Sequence, residues 1–402
     1  MSSAVGSLNW LNFFMADVRD GLGPFLGIFL QQNNWAPAEI GLAMTIGGIA
    51  GVLATTPLGI FVDATRGKRA VLIVSALAIV VSCSLNYFYP AFAVTAAAQA
   101  VSGVAGAAIG PALAALTLGI VKQRGFAHQL GRNEAYNHAG NAFAAVMCGV
   151  LGYFFGIGAV FALMAAMAVA SIGVALTIPP SAIDHNAARG LEQQTGDVAP
   201  QSVSIFSVLR SKPLLILALT MMLFHLANGA MLPLLGQAMV ARGTAGDGSA
   251  YTAATVIIAQ LTMVPMALLA SRLAQTRGYG VVVMIALLAL PVRGLLAGYF
   301  TDPWVIVPVQ ILDGVGAGML GVALPGLVAR ILSGTGHVNA GLGAVMTVQS
   351  IGAAVSPAVA GYIAEQSGYG VAFLALGVIA AAALVLWFTA SPSMAATRTV
   401  EA

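Results

Sequence analysis

Gln99-Ala-Val-Ser-Gly103-Val104 recurs as Gln310-Ile-Leu-Asp-Gly314-Val315, 211 positions further on, and Gly110 and Gly321 keep the register. Thr65-Arg66-Gly67 recurs as Thr276-Arg277-Gly278 at the same offset. Asp17 and Asp20-Gly21 find His225 and Asn228-Gly229 at an offset of 208, and Gly152-Tyr153 finds Gly361-Tyr362 at 209. Small apolar residues coincide by chance in an apolar chain, so the polar matches carry the weight. They hold a near-constant offset across several pairs of segments, and the chain reads as one unit written twice.

The surrounding composition says what that unit is made of. Hydrophobic residues are 59% of the 402 and charged residues only 7%, where a soluble domain carries about 25% charge. Mean hydropathy is +0.93. A water-facing surface cannot be built from this, and disorder is excluded by the apolar content. The 47 glycines follow no triplet period, which excludes collagen. A spanning helix needs about 20 apolar residues, and apolar stretches of that order fall at 9–31, 39–62, 70–88, 92–121, 136–156 and 158–179. Six more follow at 213–239, 250–270, 279–300, 303–332, 339–363 and 368–389. These runs are apolar on all sides and about twice the length of a barrel strand. The expected fold is an all-α membrane protein with 12 transmembrane helices: a six-helix bundle over 1–179, a polar linker over 180–212, and a second six-helix bundle over 213–402.

The few charges orient the chain. Thirteen of 16 basic residues fall in the loops after spans 2, 4, 8 and 10, the linker and the C-terminal tail. Lys and Arg accumulate on the cytoplasmic side, so both termini are expected to be cytoplasmic and the protein to be a multi-pass protein of the inner membrane. The basic residues occur singly or in threes, which argues against a nucleic-acid partner. The first ten residues hold no Lys or Arg, so no cleavable signal peptide is expected. Cys83 and Cys148 both sit in apolar runs, where free cysteine acts as a small hydrophobe.

A parallel 6+6 duplication belongs to transporters, with the site between the halves near mid-membrane. The chain resembles the major facilitator superfamily over essentially its whole length. The loop between spans 2 and 3 reads Gly59-Ile-Phe-Val-Asp63-Ala-Thr-Arg66-Gly67-Lys68-Arg69. The family pattern there is Gly, three residues, Asp, a basic residue, any residue, Gly, then two basic residues. Ala64 replaces the first basic residue and Gly67 comes one position late. Gln99 stands where the family often has an arginine in span 4. The resemblance implies two pseudo-symmetric bundles, function as a monomer, and a conformational gate at Gly59, Asp63, Arg66, Gly67, Lys68 and Arg69. The basic members of that loop read equally as topology signals. Ser356-Pro357-Ala-Val-Ala-Gly361 in span 11 loosely echoes the Gly-Pro-x-x-Gly-Gly pattern that the family's antiporters place in span 5.

A charge at the bilayer centre costs at least ~2.5–3.5 kcal/mol, so one that persists faces a cavity or a partner. Asp17, Asp20 and Pro24 are spaced i, i+3, i+7 on one face of span 1, with Arg19 turned away. A buried carboxylate has its pKa raised toward neutrality, as a proton carrier requires. Asp17, Asp20 and Asp313 are therefore the proton-coupling candidates, against the plainer reading of a helix-locking ion pair with Arg19. The substrate-binding candidates are Arg19, Asn137, Asn141, His225, Asn228, Gln310 and Arg293. Each has a structural alternative: snorkelling for Arg293, helix–helix hydrogen bonds for the asparagines, and a backbone bond for His225. Asn133, Glu134 and Arg132 read as solvated at the end of span 5.

No Walker A pattern, His/Cys ligand cluster or extramembrane Ser-His-Asp set is present, so neither an enzyme, a cofactor nor a metal is expected. The expected function is secondary active transport by alternating access. The expected partners are a small organic solute (drug, siderophore or metabolite), protons or another coupling ion, and the lipid bilayer, with proton-coupled export as the leading mode. Proton-driven uptake of a small organic anion, bound by Arg19 and Arg293, is the alternative. A non-transporting sensor would need extramembrane domains that the chain lacks.

Overall fold

The computed structural model describes residues 2–20, 22–189, 211–243, 248–332 and 338–390. Among these residues the chain is helical throughout, with no strand. Eleven helices are long and apolar enough to cross a bilayer. The remaining span of the sequence reading, 9–31, is present as two shorter helices, α1 (Ser2–Asp20) and α2 (Gly23–Gln32). Pro24 enforces the break. It has no N–H to give, and its ring clashes with the carbonyl four residues back, that of Asp20. Gly23 takes φ +45° at the restart, a conformation that costs glycine little.

Contacts divide the chain into two compact units. Unit 1 comprises Met1–Trp35, Leu42–Gly196 and Asp247–Ala254; unit 2 comprises Ala36–Gly41, Asp197–Gly246 and Thr255–Ala402. Most of unit 1 is built from α1, α2, α3 (Pro37–Ala64), α4 (Lys68–Phe88), α5 (Phe92–Phe155) and α6 (Ile157–Thr177). α5 is one run of helix broken at Lys122 into the spans Phe92–Lys122 and His128–Phe155. Lys122 has φ 58° and ψ 179°, a conformation nearly confined to glycine and strained for a lysine. α1 packs on α5 and α6, and α4 on the same two helices.

Small residues allow these approaches. A Cβ at Gly103 would fall 2.0 Å from the Gly47 carbonyl oxygen, and one at Gly140 would fall 2.1 Å from the Phe13 carbonyl oxygen. Helix association in lipid relies on such backbone proximity, because burying apolar side chains there yields no hydrophobic gain. Gly103→Ala must separate α3 from α5 and is expected to cost about 1–3 kcal/mol. The detergent-solubilised variant should therefore melt several degrees below the parent protein, and an unchanged midpoint would show that this contact can yield.

Unit 2 repeats the plan with α7 (Lys212–Asn228), α8 (Met231–Arg242), α9 (Gly248–Arg277), α10 (Tyr279–Tyr299), α11 (Ile306–Ile331), α12 (Val338–Ser367) and α13 (Tyr369–Thr389). α7 packs on α12 and α13, and α10 on α11 and α13. The break between α7 and α8 follows Asn228, the counterpart of Asp20. Both seventh-span and first-span helices therefore stop at equivalent positions of the repeat.

The linker does not begin as free chain. Residues 180–189 fold as two short 3-10 turns, Pro180–Ala182 and Ala187–Arg189, and Ala187 and Ala188 are buried. The Asp184 N–H donates to the Gly119 carbonyl at 2.9 Å. Asp184 Oδ1 accepts the Asn186 and Ala187 N–H groups at 3.0 Å, and Lys122 Nζ lies 3.4 Å from Oδ2. Chiefly through the Ala187 N–H, with Lys122 and Asn186 adding, the Asp184 carboxyl is held below its ordinary value of 3.8. A depressed carboxylate pKa contributes order that is present above the unfolded value and lost as pH falls through the folded one. Cleavage within residues 180–189 in limited proteolysis should thus be slow at neutral pH and accelerate below about pH 4, where carboxylates take up protons. Asp184→Asn should raise the neutral rate toward the acid one; equal rates for variant and parent would refute this role.

Candidate functional site

Unit 1 offers the open face of α1. Leu8, Leu11, Met15 and Val18 are almost wholly buried, while Trp10 is 50% exposed and Phe13, Phe14 and Asp17 are partly exposed. The side chains of Arg19 and Asp20 are outside the described residues. Beside Asp17 stands a ring cluster that sequence reasoning missed. Trp10 meets Phe13 at 5.4 Å, Phe14 at 5.9 Å and Tyr136 of α5 at 5.9 Å between centroids, and Phe13 meets Phe143 at 5.5 Å. The i, i+3, i+4 spacing of Trp10, Phe13 and Phe14 was a visible signal, but the two α5 rings had none.

A second finding in this unit corrects the reading of Asn133 as solvated. Asn133 is buried, with Nδ2 donating to Thr117 Oγ1 at 2.8 Å. Gln129 Nε2 donates to Asn133 Oδ1 at 2.8 Å and to Asn9 Oδ1 at 2.7 Å, and Thr117 Oγ1 donates to the Leu113 carbonyl. The network ties α1 to both halves of α5 and satisfies polar groups whose isolated burial would cost about 1–3 kcal/mol each. Glu134 and Arg132 are exposed as expected, while Asn137 and Asn141 are half-buried on the same helix.

In unit 2 the structure brings together three expected residues from three helices. Arg293 of α10 is fully buried. Its Nη1 lies 2.8 Å from Asp313 Oδ1 of α11 and also donates to Oδ1 of Asn228, the last residue of α7. Arg293 therefore does not snorkel; it lies in the bundle interior, because a carboxylate and a helix C-terminus are there to receive the charge. Arg293 Nε and Nη2 have no partner among the described residues, and neither do the two amide atoms of Gln310, which is also fully buried. Gln310 and Asp313 are one turn apart on α11. His225 Nδ1 lies 2.9 Å from the Met221 carbonyl, so that nitrogen carries the proton. Ser356, singled out in the antiporter-like stretch, is used at the break of the seventh span: its Oγ accepts the Ala230 N–H at 2.8 Å.

The loop at 59–69 is ordered from within. Lys68 is fully buried and its Nζ donates to the Val62 and Thr65 carbonyls at 3.1 and 2.9 Å. These are carbonyls at the C-terminal end of α3, where a cation is favourable. Arg69 Nη2 reaches the Leu176 carbonyl at 3.4 Å, and the Gly67 N–H donates to Thr65 Oγ1. Asp63 and Arg66 are exposed, and Gly59 has open space around it. Lys68 is thus a helix-end clamp rather than one of several free surface cations. Among the described residues no His/Cys/Asp/Glu group is arranged to hold a metal.

Residues 6–340 match the model of the MFS_1 like family. The chain is similar to the MFS-type transporter Rv2456c of Mycobacterium tuberculosis strain ATCC 25618 / H37Rv, at 41% identity over 96% of this chain and 92% of that protein. In fold it is similar to the nucleoside transporter NupG, with a TM-score of 0.75 at 16% identity over 97% of this chain and 98% of that one. A bacterial homolog of the human lysosomal transporter Spinster superposes with a TM-score of 0.75 at 12% identity over 100% and 99% of the two chains.

Proposed function

The chain belongs to the MFS_1 like family of transporters, and on that footing we propose that it exports a small organic solute across the inner membrane in exchange for protons, by alternating access. The observation that carries this reading is Asp17. It stands on the open face of α1, near the point where the first span breaks. A carboxylate that persists within a span faces a water-filled cavity or a partner and marks a candidate coupling group. Protonation changes the charge of that face by one unit, which biases whichever conformational state exposes it. Asp20 is assigned to the same coupling step by its position one turn further on. The basic residues of the even-numbered loops support cytoplasmic termini.

Uptake of an organic anion is the weaker reading. It calls on the positive charge of Arg293, and Asp313 already offsets that charge at 2.8 Å.

The test is proton movement in proteoliposomes holding the purified chain, recorded with an internal pH dye while organic cations, neutral drugs, organic acids and siderophores are added in turn. A solute gradient should drive proton movement opposite in direction to the solute. Movement in the same direction as an acid would favour uptake, and no proton movement with any transported solute would end the coupled reading.

A further inference from the structure

We propose that the groove between α3, α4 and the first span of α5 holds one phospholipid with an anionic headgroup, its phosphate at the 59–69 loop and an acyl chain along α4. The inference does not depend on the export reading.

The groove follows from how the three helices meet. α3 and α5 touch at Gly47, Gly51 and Gly103, where an added Cβ would strike backbone. Past that crossing α3 runs on to Ala64, and Pro57 removes one bond from its ladder. A cleft of about 580 Å³ lies here between α3, α4 and α5. Phe61 of α3 and Val74 of α4, 54% and 64% exposed, stand at its rim, while Ala105 and Ala108 of α5 are buried and form its floor. A second cleft of about 760 Å³ between α4 and α5 shares Val74, Ala78 and Val101 with the first, so the two make one continuous groove. From Gly67 to Ala78 the first cleft follows α4 for about 16 Å, close to half of the ~30 Å hydrocarbon core. Any lipid wets a flat apolar face. A recessed floor of alanines between larger rims surrounds a chain instead, and each added contact gains dispersion energy.

Charge decides which end takes the headgroup, and of which sign. No charged residue occurs from Ala70 to Val121, so the walls and the far end of the groove are neutral. The near end is lined by Thr65 and Gly67, with Arg66 between them. Arg66 is exposed, and its guanidinium makes no ion pair or hydrogen bond among the described residues. Arg69 adjoins Ala70 of the lining; its Nη2 reaches the Leu176 carbonyl, while its buried Nε has no partner. Lys68 is committed to the carbonyls at the end of α3. Asp63 is the one acidic residue of the stretch, so two arginines outweigh one carboxylate there. A guanidinium binds phosphate bidentately, and basic residues at a membrane surface attract anionic lipid. A second copy of the chain, related by a two-fold axis along the membrane normal, would set its own Arg66 beside this one, like charge against like.

The experiment is native mass spectrometry of the delipidated full chain, titrated separately with dioleoyl phosphatidylglycerol and dioleoyl phosphatidylcholine. One phosphatidylglycerol should bind about tenfold more tightly than phosphatidylcholine. Arg66→Gln should weaken phosphatidylglycerol about fivefold and leave phosphatidylcholine unchanged. Ala78→Phe fills the groove where the two clefts meet and should weaken both lipids about tenfold. Should it fail to elute as the parent protein does, Val74→Trp at the exposed rim carries the same expectation. Glycerol 1-phosphate, a phosphate without chains, should not displace the lipid. Equal binding of the two lipids to the parent, or full phosphatidylglycerol binding in Arg66→Gln, would overturn the headgroup assignment. Unchanged binding in the groove-filling variant would overturn the groove, and displacement by glycerol 1-phosphate would overturn the role of the acyl chain. A dimer that retains no lipid and disappears in Ala78→Phe would give this face to a second copy and end the proposal.

Discussion

Arg293→Met is expected to destabilise the protein by about 3 kcal/mol, the largest effect of any single substitution considered. The guanidinium is fully buried and shares one nitrogen, Nη1, between Asp313 and Asn228. Removing it leaves the Asp313 carboxylate in the bundle without its counter-charge, and breaking a buried pair in this way costs about 3–5 kcal/mol. The lower end applies because the Asp313 side chain keeps 16% of its surface exposed. The double variant Arg293→Met, Asp313→Leu removes both charges together and should recover most of the loss, since apolar replacements of buried pairs are often neutral. The measurement is the thermal midpoint by fluorescence-detected size exclusion in detergent. A single variant as stable as the parent would mean that the pair contributes nothing. A double variant as unstable as the single would mean that Arg293 acts through Asn228 rather than through Asp313.

The second large effect concerns Asp17→Asn. An asparagine imitates a carboxyl that is permanently protonated, so the face of α1 can no longer change charge. Solute-driven proton movement should fall to the level of protein-free liposomes, while exchange of labelled solute across the same membranes should persist. That split separates a coupling residue from a structural one, because a misfolded variant loses both. Asp17→Glu keeps the titrating group and should restore part of the proton movement. Full proton movement in Asp17→Asn would transfer the role to Asp20, where Asp20→Asn is the matching substitution.

These expectations differ in how far they were legible beforehand. The pairing of Asp17 with His225, and of Asp20 with Asn228, was visible as a constant offset in the chain. The helix break after Asp20 was foreshadowed by Gly23-Pro24, since proline has no N–H to give and its ring excludes the carbonyl four residues back. The burial of Lys68 was not legible. A lysine in a basic loop looks like a topology signal, and only the approach of the Val62 and Thr65 carbonyls makes its burial favourable. Asn133 misled for a related reason: its partners, Gln129 and Thr117, lie on either side of the break at Lys122, and helical spacing cannot reveal contacts across a break.

Composition and span length were sufficient by themselves for the membrane class and the all-helical fold. These follow from the free energy of placing peptide and side chains in lipid, which is summed along the chain and hardly depends on which helix touches which. Partner choice is different. Arg293 could have reached the membrane surface or a neighbour with the same hydropathy in either case. Three helices converging on one guanidinium decide between these alternatives, and two helices bring the rings of Trp10, Phe13, Tyr136 and Phe143 together. Electrostatics and ring contact act over a few ångströms, between residues that the chain separates by up to about 130 positions.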